Sequence, residues 1–375
     1  MEKLYPNDLL KIFALVLCVI GCFLPTLSTE IFFQLPSERV LFKTIGSIFF
    51  LAGLTSLLFI NGLNLKSLLT SFFLTTFFYI FSISSFIYDS SGSLNHLLRA
   101  FMATMICYFF LELDKRDLDF IIGLITVILS LIALIGVSSI FFGFSNGEKF
   151  PIINIYSTKS IIFEQNVYGI AMLFLIFICS RYKKFSTYNL FSYIIIPVAV
   201  AALLFSFYRT VYICFAVLLF ANTKNKIFWL IGLTALFYAL IYAFNLSDQL
   251  FEIFKLDQLS NLTGRTEMYS VGWNLFLQFP LIGSSELSVP NHIQFTTFHN
   301  LFIDTLVFGG IIGCIALIIS YVTLLRGIKL ERSLGLFILL LPSLANTFYF
   351  FAPNILGFTV TAVLFSYQLS SSDWK

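Results

Sequence analysis

The chain has 375 residues, of which 59% are hydrophobic, 18% aromatic and 11% charged, and its net charge is +3. A soluble domain carries about 25% charged residues, so this composition excludes one water-soluble core, and the small charge offers no basic surface for nucleic acid. Mean hydropathy is +0.94. Repeated apolar runs near the length of a bilayer crossing read as transmembrane helices. Barrel strands would be short and would alternate in polarity, which these runs do not. The expected fold class is an all-α, polytopic integral membrane protein forming one membrane domain over residues 1–375.

In chain order the apolar runs predict about twelve spans. They cover roughly 9–28, 40–60, 67–88, 94–113, 118–143, 161–180, 187–206, 208–222, 226–246, 299–325, 333–351 and 354–370. Spans seven and eight are separated only by Phe207 and its neighbours, so one bent segment is an alternative. With the N-terminus inside, the short inside loops hold Lys66, Lys115, Arg116, Arg181, Lys183, Lys184, Lys224, Lys226, Arg326, Lys329 and Arg332. The outside keeps Arg39, Lys43, Arg99, Lys149, Lys159, Arg209, Lys255 and Arg265. This asymmetry is the positive-inside pattern and places both termini in the cytoplasm.

In this register residues 247–298 form one large extracytoplasmic loop. Within 248–259 the apolar residues Leu250, Phe251, Phe254 and Leu259 predict a helix lying on the bilayer surface. A second helix is predicted over 265–279. Thr263 or Gly264 signals its start, Pro280 its stop, and Val271, Leu275 and Phe279 its apolar stripe.

The residues able to do chemistry cluster on this outer side. Arg265 is expected in the first turn of the 265–279 helix, where unpaired amides already carry partial positive charge. A cation there calls for an anion, and helix starts bind phosphate. Arg209 follows Ser206-Phe207-Tyr208 at the outer end of a span, where an Arg is an interfacial anchor or marks a substrate path. Arg99, near His96, is a weaker candidate of the same kind. His299 stands where the polar segment re-enters the membrane, followed by Asn300 and, on the same helix face as Asn300, Asp304. A neutral imidazole suits proton abstraction near pH 7, whereas a capping or interfacial role is the structural alternative. Glu164 and Asn166 open another span and serve either substrate or helix–helix hydrogen bonding. No His/Cys/Asp spacing suits a metal, no Gly-rich phosphate loop is present, and the six cysteines all fall in apolar runs.

Three blocks in order resemble the O-antigen polymerase/ligase superfamily. They are Glu164-Gln165-Asn166; Arg209-Thr210; and Gly264-Arg265-Thr266 with Trp273, Pro280, Gly283, His299-Asn300 and Gly309-Gly310. Gln165, Tyr208 and Ser285 depart from the residues common in that family. The resemblance implies an enzyme of the bacterial inner membrane with a periplasmic active site. Such an enzyme moves a glycan from a polyprenyl-pyrophosphate carrier to a sugar hydroxyl without a metal or other cofactor. It implies His299 as general base and Arg209 and Arg265 as the pyrophosphate clamp, with Arg99, Glu164, Asn166 and Asn300 as further substrate contacts. The expected partners are the lipid-linked oligosaccharide, the bilayer, and a chain-length regulator and flippase of the same pathway. Within the superfamily the expectation is a Wzy-type O-antigen polymerase; a ligase acting on lipid A–core is the alternative, and a non-enzymatic exporter the remote one.

Overall fold

Among the residues that the computed structural model describes, twelve α-helices account for almost all of the backbone. The structure describes residues 6–27, 36–88, 93–142, 149–150, 155–156, 165–182, 189–204, 206, 209–222, 265–284, 300–326, 328, 340–344, 349–369 and 374. The helices are α1 (Pro6–Leu27), α2 (Pro36–Asn61), α3 (Leu65–Leu74), α4 (Thr76–Tyr88), α5 (Ser93–Glu112), α6 (Lys115–Phe142), α7 (Gln165–Arg181), α8 (Asn189–Leu204), α9 (Arg209–Asn222), α10 (Arg265–Gln278), α11 (Leu301–Leu325) and α12 (Ile355–Leu369). A two-residue ribbon, β1 (Lys149–Phe150) with β2 (Ile155–Tyr156), pairs antiparallel between α6 and α7.

Among the described residues five helices are long and apolar enough to cross a membrane. They lie within α1, α2, α5, α6 and α11; α3 and α4 together form a sixth, bent by 59°, while α7, α8 and α12 are shorter apolar helices. The protein is therefore a polytopic helical membrane protein. The predicted span 226–246, most of 333–351 and the predicted surface helix 248–259 lie outside the described residues.

Two expectations are refined. The single helix predicted over 67–88 bends at Thr75, whose backbone leaves the helix at φ −105, ψ 9. The bend is sustained by hydroxyls that satisfy polar groups where no water can: Thr75 Oγ1 donates to Ser71 O at 2.8 Å and meets Thr104 Oγ1 at 2.8 Å. Tyr79 OH lies 3.0 Å from the same threonine. The end of the predicted span 333–351 is also irregular. Leu341–Leu344 is a 3-10 turn containing Pro342, whose ring and missing amide are incompatible with a helix interior, and Phe351 has a φ of 61. Over spans seven and eight the described helices are α8 and α9, separated by a break between Leu204 and Arg209.

Packing follows from small residues. Gly21 and Gly46 let α1 and α2 touch backbone to backbone: a Cβ on Gly21 would stand 2.6 Å from Gly46 O, and one on Gly46 2.7 Å from Gly21 O. This is how membrane helices gain contact without a hydrophobic driving force. Cys18, Cys22, Cys107, Cys179 and Cys214 are buried free thiols in this bundle.

The described contacts sort into two ends. At one, Lys11 pairs with Asp117 at 2.7 Å and Asp114 at 3.4 Å. The Asn64 amide donates to Tyr108 OH at 3.1 Å, Tyr182 OH donates to Asp119, and Tyr182 bridges Trp374. The starts of α1, α3 and α6 and the ends of α2, α5, α7 and the chain thus share one face. The opposite face carries the end of α4 and the starts of α5, α7 and α11. There Tyr88 packs its ring 4.7 Å from Phe279, and a Cβ at Gly136, late in α6, would collide with the Tyr168 hydroxyl, early in α7.

Candidate functional site

The residues proposed from sequence share one structural address: helix starts. Gln165 and Asn166 open α7, Arg209 opens α9, Arg265 opens α10, and Asn300 is the N-cap of α11. His96 and Arg99 lie in the first two turns of α5, His96 half-buried and Arg99 exposed. Each helix start presents amides without an intrahelical partner and a partial positive charge.

The fold brings the starts of α5, α7, α9 and α11 to the same end. Helix α5 finishes at Glu112 and α7 at Arg181, both beside the Lys11 cluster, so both begin at the opposite face. Helix α8 returns along α7, which puts Arg209 at that face too. Helix α11 runs antiparallel to α4: a Cβ on Gly309 would meet the Phe81 ring at 2.5 Å, and Ser320 Oγ donates to Leu74 O at 2.7 Å. The start of α11 therefore lies near Tyr88. His299 and Glu164 lie outside the described residues, as do the side chains of Asn166, Arg209 and Arg265.

Asn300 caps its helix as its residue type predicts. Its Oδ1 accepts from the Phe302 amide at 3.0 Å and the Ile303 amide at 3.2 Å. The carboxamide oxygen is thus engaged in holding the helix start that follows His299. One turn on, Asp304 is 2% exposed and Thr305 fully buried. Thr305 Oγ1 donates to Leu301 O at 2.6 Å. Asp304 and Thr305 thus form a buried polar pair beneath the helix start.

The loop after α10 is locked into α11. The expected stripe is present: Leu275 is buried with Met268 and Val307, Val271 flanks them, and Phe279 meets Tyr88. Helix α10 stops before Pro280, and the turn Pro280–Ser284 enters a break in α11 at Gly310 (φ 59, ψ −159). The Ile311 amide donates to Pro280 O at 2.9 Å and the Ile312 amide to Leu281 O at 3.1 Å. The Ser284 amide donates to Val307 O at 2.6 Å, with Ser284 Oγ 3.2 Å from the same oxygen. From α4, Ser84 Oγ donates to Ser284 O at 2.8 Å. Sequence reasoning used Pro280 only as a helix stop, quoted Gly283 and Gly309-Gly310 without a role for them, and missed Ser84 and Ser284. The available signal was two glycine positions spaced for a turn and a broken helix.

Residues 206–318 match the family model described as O-antigen ligase. This match supports a place for that part of the chain in the O-antigen polymerase/ligase superfamily. The match begins beside Arg209, contains α9 and α10, and ends within α11 beyond the Gly310 break, so this O-antigen ligase domain holds the three helix starts and the lock together. No curated protein and no solved structure matches the chain. The matched domain is that of a glycosyltransferase-type family, consistent with the membrane helices of the chain.

Proposed function

We propose that the protein is an O-antigen (surface-polysaccharide) polymerase. It joins lipid-linked repeat units at the periplasmic face of the bacterial inner membrane, with the Lys11 face and both termini in the cytoplasm. The observation that carries the reading is the O-antigen ligase domain over 206–318, whose two arginines, Arg209 and Arg265, each open a helix. Helix starts and guanidinium groups together suit a pyrophosphate: the amides supply partial charge, and the planar forks bind phosphate oxygens in pairs.

In the reaction an acceptor sugar hydroxyl attacks the anomeric carbon of the donor glycan. Its oxygen forms the new glycosidic bond while the bond to the carrier pyrophosphate breaks. His299 takes the hydroxyl proton, and Arg209 and Arg265 hold the departing pyrophosphate as its charge develops. Fixed donors in a water-poor site stabilise that charge more than solvent can. Arg99, Glu164, Asn166 and Asn300 line the approach, and the exposed aliphatic helix faces accommodate the polyprenyl tail. No metal enters this scheme. A chain-length regulator and the flippase that delivers repeat units are the expected partners.

The ligase of the same superfamily differs in its acceptor, lipid A–core. A deletion strain separates the two. Loss of a polymerase leaves core capped with one repeat unit, whereas loss of a ligase leaves bare core and accumulated lipid-linked polymer. The second pattern would replace the polymerase assignment.

A further inference from the structure

Helix α11 has two ways to satisfy its backbone near Gly310. In an uninterrupted helix the Ile311 amide would donate to Val307 and the Ile312 amide to Phe308. In the observed arrangement those amides bond Pro280 and Leu281, and the released Val307 carbonyl receives Ser284. Stereochemistry selects between the two. Gly310 occupies a backbone region open essentially to glycine, and a Cβ there would stand 2.4 Å from Leu281 C and O. Gly283, at φ 80, sits as tightly: its Cβ would lie 2.5 Å from Gly309 N. A side chain at either position favours the continuous helix and expels the turn.

The turn ends the helix that Arg265 opens, and the break interrupts the helix that begins just after His299. Both helices run toward the lock, and Met268 and Leu275 of α10 cluster with Val307 of α11. We propose that Gly310 and the Ser84-braced Pro280–Ser284 turn are positioning residues that fix the start of α10 relative to the start of α11. They thereby set the separation of the pyrophosphate clamp and the base. This inference rests on the transferase reading above. None of these groups touches the reacting atoms.

The test uses the full chain in detergent or nanodiscs with a lipid-linked repeat unit. Gly310→Ala should keep a cooperative thermal transition, raise the donor KM and lower kcat/KM at least tenfold. Spin labels at the exposed positions Asn274 and Phe302, in a Cys314→Ala background, should give a narrow distance distribution in the parent and a shifted or broadened one in Gly310→Ala. Should Gly310→Ala fail to fold, Ser84→Ala removes only the brace and should lower kcat/KM several-fold through KM. Ser82→Ala, whose hydroxyl bonds its own helix at Phe78 O, should leave it unchanged. Unaltered distances and kinetics in the folded Gly310→Ala protein, or in Ser84→Ala where Gly310→Ala does not fold, overturn the proposal. If the parent protein transfers no glycan from the lipid-linked repeat unit, the transferase reading fails instead, and the label distances still report whether the lock exists.

Discussion

Ser320, in the second half of α11, donates a 2.7 Å hydrogen bond to the carbonyl of Leu74, the last residue of α3. The bend at Thr75 would otherwise leave that carbonyl poorly paired in hydrocarbon. Ser320→Ala should therefore destabilise the protein by about 0.6–1.7 kcal/mol, the range for interhelical hydrogen bonds in membranes. Thermal unfolding in detergent measures this, and an unchanged midpoint would show that the bend does not depend on the bond.

His299→Ala should lower glycan transfer by about 10²–10⁴-fold, the usual contribution of a positioned base, with normal expression and insertion. Wild-type chain lengths in the mutant would remove His299 from the reaction.

Arg265→Lys keeps the charge and loses the planar fork. A drop in kcat/KM of about 10–100-fold, or about 1.4–2.7 kcal/mol of transition-state stabilisation, is expected with pyrophosphate-linked donor. Equal activity of the lysine variant would show that charge alone suffices.

On the proposed mechanism activity should survive a metal chelator, because guanidinium groups and helix starts would do the work a divalent ion does elsewhere. Among the described residues no group of three His, Cys, Asp or Glu side chains is placed to hold an ion. Strict dependence on added Mg²⁺ would overturn the mechanism.

At the opposite end, Lys11→Met leaves Asp117, whose side chain is 8% exposed, without its cation. Lys11 is itself partly solvated, so the cost should be about 1–3 kcal/mol rather than that of a fully buried pair. Asp114 is half-exposed and titrates. Partial burial raises its pKa, but the Asp117 amide and the Lys11 ammonium outweigh this and hold it below its ordinary value. Its contribution is therefore present above pH ~4 and fades as acid protonates it. The parent should lose midpoint temperature below that pH, and Lys11→Met should lose less.

The helices were legible where apolar length decides the outcome. Helices α1, α2, α5, α6 and α11 match their predicted runs within a few residues because hydrocarbon thickness fixes both ends. The stop of α10 was legible from Pro280, and its buried face from Leu275. The bend at Thr75 was not, since Thr75 and Thr104 meet only through tertiary structure. For the site, Arg209 and Arg265 were readable as helix starts. The lock was not: Ser84 and Ser284 are chemically ordinary, and only the fold makes a backbone acceptor of one and a donor of the other.

The bond between Ser84 and Ser284 spans 200 positions of the chain, and this bears on biogenesis. At about 5–20 residues per second of synthesis, α4 enters the bilayer roughly ten to forty seconds before the turn it will brace exists. Maturation of the transfer site is then a late, post-insertion event, and a ribosome stalled before residue 284 would leave an inserted but unassembled enzyme.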